Sequence, residues 1–156
     1  MTWSQRTYGR ISPRVAHGRF SARVTALHAR LIGRTNGKFG ARFFGGAPLL
    51  VLRTVGRKSG EVRENPAIYV TAGERAWAVA ASNAASKRFP GWYLNLQANP
   101  EAEALVGGKW RHVRARRAEG REFDELTARI EETYEGAKHY AKIATRELPI
   151  VVLEER

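Results

Sequence analysis

Gly56-Arg57-Lys58-Ser59-Gly60 sets two cations and a hydroxyl between two glycines. The flanking runs, Leu49 to Val55 and Val62 to Val70, are rich in apolar and β-branched residues and read as strands, so the five residues form a turn between them. Such a turn can bring backbone N–H groups, a guanidinium and an ammonium to one point, which suits a phosphate or a carboxylate. It is not a Walker loop, because the glycines stand too close together and no Lys-Ser/Thr pair follows the second. Taken alone, the pentapeptide favours a solvated basic hairpin over a site.

Other chemistry-bearing residues are few. Cysteine is absent, which excludes a disulfide framework, a zinc–thiolate site and a catalytic thiol. His17, His28, His112 and His139 have no metal-ligand spacing, so no metal site is expected. Neither a Gly-x-Ser-x-Gly elbow nor a Gly-x-Gly-x-x-Gly fingerprint occurs, which argues against an α/β-hydrolase and a Rossmann nicotinamide site. What remains suits a bound cofactor that carries the chemistry while the protein supplies position and charge.

The elements that must position these residues follow from length, charge and period. A chain of 156 residues fits one domain. Residues 1–60 hold twelve Lys/Arg and no acid, while 61–156 hold fifteen of each sign, so the net +12 belongs to the first part. Residues 1–17 read as a basic mobile arm and 18–156 as a single domain. No run approaches the ~18 apolar residues of a membrane span. The first twenty residues are broken by arginines rather than forming an apolar signal core, so a cytoplasmic location is expected. From Gly18 to about Arg34, Phe20, Val24, Leu27 and Leu31 share one helical arc and Arg19, Arg23, Arg30 and Arg34 an adjacent one. That amphipathic helix suits either a cap on the domain or a peripheral contact with an anionic membrane. Few aromatics interleave with these cations, which argues against nucleic acid.

Strands are expected at about 49–55, 62–71, 75–82, 102–106, 109–118 and 148–153. Turns fall at Ala72-Gly73-Glu74 and Gly107-Gly108. Helical pieces fall at Pro90 to Asn99, at Arg121 to Tyr134 with Phe123, Leu126 and Ile130 on one face, and around His139 and Tyr140. Pro66 predicts an edge or a bulge in the second strand, a place where a ligand finds room. Short strands with few helices define a mainly β, α+β domain closed as a small barrel.

Read in order, Gly56 to Gly60 with Arg63 and Pro66, Val79-Ala80-Ala81-Ser82-Asn83-Ala84, Pro90-Gly91-Trp92-Tyr93-Leu94-Asn95-Leu96, Asn99-Pro100, Tyr140 and Thr145-Arg146-Glu147-Leu148-Pro149 closely resemble the deazaflavin-dependent nitroreductase and quinone reductase family. The resemblance covers about Leu27 to Leu153. It implies a flavin-reductase-like, FMN-binding type of split β-barrel that uses coenzyme F420, an 8-hydroxy-5-deazaflavin. By that resemblance Gly56, Arg57, Lys58, Ser59, Gly60, Arg63 and, in a lesser role, Lys87 hold the phosphate and acidic tail. Pro66 and Ile68 are further cofactor-binding positions, Ala80, Ala81, Ser82 and Asn83 adjoin the ring, and Pro90, Trp92 and Asn95 form a wall opposite. Trp92 suits core packing equally well.

Resemblance also gives Tyr134, Tyr140 and Ser82 catalytic positions, with the tyrosines on the side of a small-molecule electron acceptor. Nitroimidazole-activating members have a further tyrosine where this chain has Ala137, and a Gly-Gly pair near Ala84-Ala85, so prodrug activation is not carried over. The implied activity is hydride transfer from reduced coenzyme to a quinone-like or nitroaromatic acceptor. The alternative is a non-catalytic binder of a deazaflavin, a fatty acid or haem on the same barrel. Oligomeric state is not legible.

Overall fold

The computed structural model describes residues 46–156 together with Leu27 and Arg34, both helical. The expected arm and the rest of the amphipathic helix lie outside the described residues. Six strands, β1 (Leu49–Val55), β2 (Val62–Gly73), β3 (Ala76–Ala80), β4 (Glu101–Val106), β5 (Lys109–Arg117) and β6 (Ile150–Glu155), close an antiparallel barrel in the order β1-β2-β3-β6-β5-β4. Helix α1 (Gly91–Ala98) follows β3, and α2 (Gly120–Thr133) and α3 (Glu135–Ile143) lie between β5 and β6. This is the mainly β, split-barrel architecture expected from the sequence.

Alternation along the strands divides the apolar residues between two faces. Leu50, Leu52, Val79, Val113, Val151 and Leu153 fill the barrel interior with Trp92, Tyr93 and Leu96 of α1. Fully burying each large aliphatic side chain contributes roughly 1.5–3 kcal/mol. On the outside, Leu126 and Ile130 of α2, joined by Phe123, cover Val70, Ala78, Ile150 and Val152. The spacing that predicts one apolar face on α2 therefore finds its sheet.

Boundaries move where partners, not propensity, decide them. β2 continues through Gly73, with an irregular register between Thr71 and Gly73, so the expected Ala72-Gly73-Glu74 turn falls at Glu74 and Arg75 instead. β3 ends at Ala80 because the next bond of the pairing runs one way only: Ala81 donates its N–H to Pro149 O at 2.8 Å, and proline has no N–H to return. β6 runs to Glu155, not Leu153, because Glu154 pairs with Ala76 and Glu155 with Val113.

Pro66 makes no bulge. The β1–β2 register passes Val51↔Pro66 without a shift. The expected edge is present, because β2 pairs with β3 only from Tyr69 onward. Tyr69 donates its N–H toward β1, to Pro48 O, and N–H directions alternate along a strand. The N–H that Pro66 lacks would therefore have faced the unpaired side, where its loss costs no ladder bond.

Candidate active site

The seam opened by that edge organises the site. Tyr69↔Val79 is the last β2–β3 pair on this side. Beyond it, Pro66 and Ile68 diverge from Ala80, Ala81, Ser82 and Asn83, the residues that a continued ladder would have brought opposite. Ile68 packs outward with Leu49, Val51 and Leu105, Ala80 outward with the α2 cluster, and Ala81 inward with no exposure. These expected cofactor-binding residues thus lie on two chain segments that stop pairing after Tyr69↔Val79.

The basic loop caps the β1–β2 end of this gap. Gly56 donates its N–H to Glu61 O at 2.7 Å, and Gly60 donates to Gly56 O at 2.7 Å. A Cβ on Gly56 would come within 2.8 Å of Ser59 Oγ and 3.1 Å of Glu61 O, while Gly60 sits at φ 71°. Both glycines are therefore needed for so tight a turn. Ser59 Oγ faces into the turn and accepts the Glu61 N–H at 3.3 Å. Arg57, Lys58, Arg63 and Lys87 are exposed. Arg63 pairs with Glu61 at 2.6 Å, whereas among the described residues Lys58 and Lys87 have no ion-pair partner.

Asn95 links this loop to the barrel. It is buried in α1, accepts the Arg57 N–H at Oδ1 and donates from Nδ2 to Thr54 Oγ1 on β1. Its polar atoms are committed to holding the loop, a role the sequence does not disclose. Trp92 lies within the barrel core, 9% exposed, and Pro90 is buried at the start of α1. Trp92 therefore has the packing environment, one of the two roles open to it from sequence.

Between β3 and α1 the chain makes a turn that sequence reasoning missed. Asn83, Ala84 and Ala85 take φ values of 46°, 50° and 59° in succession. The noted family difference at Ala84-Ala85 falls on positions whose backbone suits glycine. Ser82 is half-buried, and its hydroxyl has no hydrogen bond among the described residues. Helix α3 lies against this turn. Tyr134, at the α2–α3 junction, and Tyr140, on α3, have ring centroids 6.2 Å apart. The two phenols are thus neighbours, and the helix that carries Tyr140 lies against the Asn83–Ala85 turn.

Two exposed cations without carboxylate partners among the described residues, a tight anion-compatible turn, a gap in the sheet and adjacent phenols fit a planar, acidic-tailed coenzyme. No cluster of His, Asp or Glu suited to a metal occurs among the described residues. Topology and strand pairing together define a six-stranded split β-barrel.

The model of the F420H(2)-dependent quinone reductase family matches residues 24–155. A quinone reductase of that name from Mycobacterium tuberculosis is 35% identical over 135 residues, spanning 83% of this chain and 89% of its own. A solved F420-H2 dependent reductase has a TM-score of 0.63 and 30% identity, over 69% of this chain and 94% of that one. A haem storage protein of Vibrio cholerae, with a TM-score of 0.52 and 13% identity over 81% of this chain and 89% of that one, shares the fold alone. The chain belongs to the F420H(2)-dependent quinone reductase family.

Proposed function

We propose that this protein uses coenzyme F420 to reduce a quinone-type or nitroaromatic acceptor. The reading is supported by a basic loop anchored to α1 through Asn95 and by two adjacent tyrosines, in a chain of this family. Arg57, Lys58 and Lys87 would hold the phosphate and carboxylates, with Arg63 joining once it releases its exposed partner Glu61. Pro66, Ile68 and Ala80 to Asn83 would line the ring. When bound and reduced, the coenzyme supplies the hydride. The chain's own part is to orient the acceptor, to keep water from the ring face and to offer a phenol hydrogen bond from Tyr134 or Tyr140 to the acceptor oxygen as it gains negative charge. Ser82, whose hydroxyl has no hydrogen bond among the described residues, would donate a second such bond.

The test is titration of the purified protein with coenzyme F420, flavin mononucleotide and nicotinamide cofactors, read by tryptophan quenching, followed by turnover with a soluble quinone. Selective binding of the deazaflavin is expected. Arg57→Ala with Lys58→Ala should weaken it by more than about tenfold, since two charge-assisted contacts are lost. An unchanged dissociation constant removes the loop from the site.

A peripheral membrane contact is the finer reading of the charge. No helix among the described residues is long and apolar enough to cross a membrane. Support comes from Val55 and Val62, 42% and 58% exposed where they pair at the base of the basic loop, and from the exposed Leu27. Apolar tips beside cations suit an anionic lipid surface. Sedimentation with anionic vesicles at low salt, lost at moderate salt and absent with neutral vesicles, is the expected result. A supernatant form under all three conditions excludes the contact.

A further inference from the structure

Arg146 lies between α3 and β6, yet its guanidinium serves a distant loop. Nε donates to Ser86 O at 2.8 Å and Nη1 to Glu147 O at 2.7 Å. Nη2 shares its hydrogens among Ser82 O at 2.9 Å, Ala81 O at 3.1 Å and Arg88 O at 3.3 Å. Four of these five carbonyls belong to residues 81–88. The guanidinium also stacks over Phe89, 4.4 Å from the ring centroid. Its neighbour Glu147 pairs with Arg117 instead, and no carboxylate among the described residues neutralises Arg146. Burial lowers its pKa, but an arginine stays charged over the working range.

The clamped loop is the one with three successive left-handed residues. Its internal bonds are few: Ala85 N–H to Ser82 O, Ser86 N–H to Asn83 O, Arg88 N–H to Ser86 Oγ and Asn83 Nδ2 to Arg88 O. Left-handed alanines persist only where the surroundings over-determine them. The planar fork of one arginine, gathering carbonyls from both ends of the loop, is that determinant here.

We propose that Arg146 is a positioning residue of the active site, fixing the Ala81–Arg88 backbone in the shape that receives the coenzyme ring. This rests on the reading that Ala81 to Asn83 adjoin the deazaflavin. A lysine cannot replace it, because an ammonium offers three hydrogens from a single point and cannot span carbonyls contributed from Ala81 to Arg88.

The experiment compares full-length Arg146→Lys and Arg146→Met with the unsubstituted protein. Amide hydrogen exchange is read at Ala85, Ser86 and Arg88 in the loop and at Leu50 and Val152 in the barrel, alongside coenzyme F420 affinity. We expect exchange at the three loop amides to rise at least about tenfold in both variants, with barrel amides unchanged. Coenzyme affinity should fall about tenfold or more, and lysine should not restore it. Unchanged loop exchange overturns the clamp, whatever the coenzyme does. Faster loop exchange with unchanged affinity leaves a structural staple and overturns the positioning role. Loss of barrel protection in both variants also overturns it, by making Arg146 a residue of the fold. If the unsubstituted protein takes no coenzyme while the loop opens as expected, the cofactor reading fails and the positioning role falls with it, with the clamp itself intact.

Discussion

Asn95 Oδ1 accepts the backbone N–H of Arg57 at 3.1 Å, and the same side chain donates from Nδ2 to Thr54 Oγ1 at 3.1 Å. One buried amide thereby ties the basic loop to both the first strand and α1. Asn95→Leu removes both bonds and leaves the buried Thr54 hydroxyl without its donor, at a cost of about 1–3 kcal/mol. We expect a lower Tm and weaker coenzyme binding. Thr54→Val should lower Tm while leaving coenzyme affinity nearly intact, because the Asn95–Arg57 bond survives. Equal loss of affinity in both would show that Arg57 is not held through Asn95.

Gly136 leaves room for Tyr134, since a Cβ there would clash with Cζ and the hydroxyl oxygen of its phenol. Gly136→Ala must displace the Tyr134 ring from its present place beside Tyr140. The expected outcome is a fall in kcat/KM for the acceptor of about tenfold, or ~1.4 kcal/mol, with coenzyme affinity little changed. Tyr140→Phe should act in the same direction. Loss of coenzyme affinity by the same factor would put the tyrosines on the coenzyme side.

Ala84 and Ala85 occupy backbone that glycine accepts without strain. An L-residue there costs about 1–2 kcal/mol, while the added chain entropy of glycine returns roughly 0.5–1 kcal/mol of that. Ala84→Gly and Ala85→Gly should each stabilise the protein by up to about 1 kcal/mol. The check is a higher denaturant midpoint at unchanged slope. A lower midpoint for both would contradict the strain.

Acid should weaken the far edge of the barrel. A hydrogen bond from Arg75 holds the Glu155 carboxyl below the usual carboxylate range, helped by Arg111. A depressed folded pKa gives stability that is present above the unfolded value of about 4.3 and is lost as pH falls through the folded one. Tm measured from about pH 6 to pH 2 should therefore fall less steeply in Glu155→Gln. Identical slopes would mean that the pair adds nothing to acid stability.

The sequence by itself determined the strand windows, the hairpin loop and the family. β1 occupies Leu49 to Val55 as its apolar run predicts, and Phe123, Leu126 and Ile130 turn one helical face to the sheet, because period and turn residues act over a few positions. Motif order likewise needs no contacts to be read. Tertiary structure alone decided the rest. The closure of β1 on β4 and of β3 on β6 joins segments far apart in the chain, and whether Pro66 lies on an open seam or in a bulge depends on where β3 stops pairing. Asn95 reaches Thr54 across 41 residues and Arg146 reaches Ser86 across 60. Hydrogen-bond partners at such separations are chosen by the folded backbone, and one buried amide or guanidinium leaves no periodic trace in the chain. The left-handed turn at Asn83 to Ala85 is hidden for the same reason: alanine does not ask for that conformation, and only its surroundings can impose it.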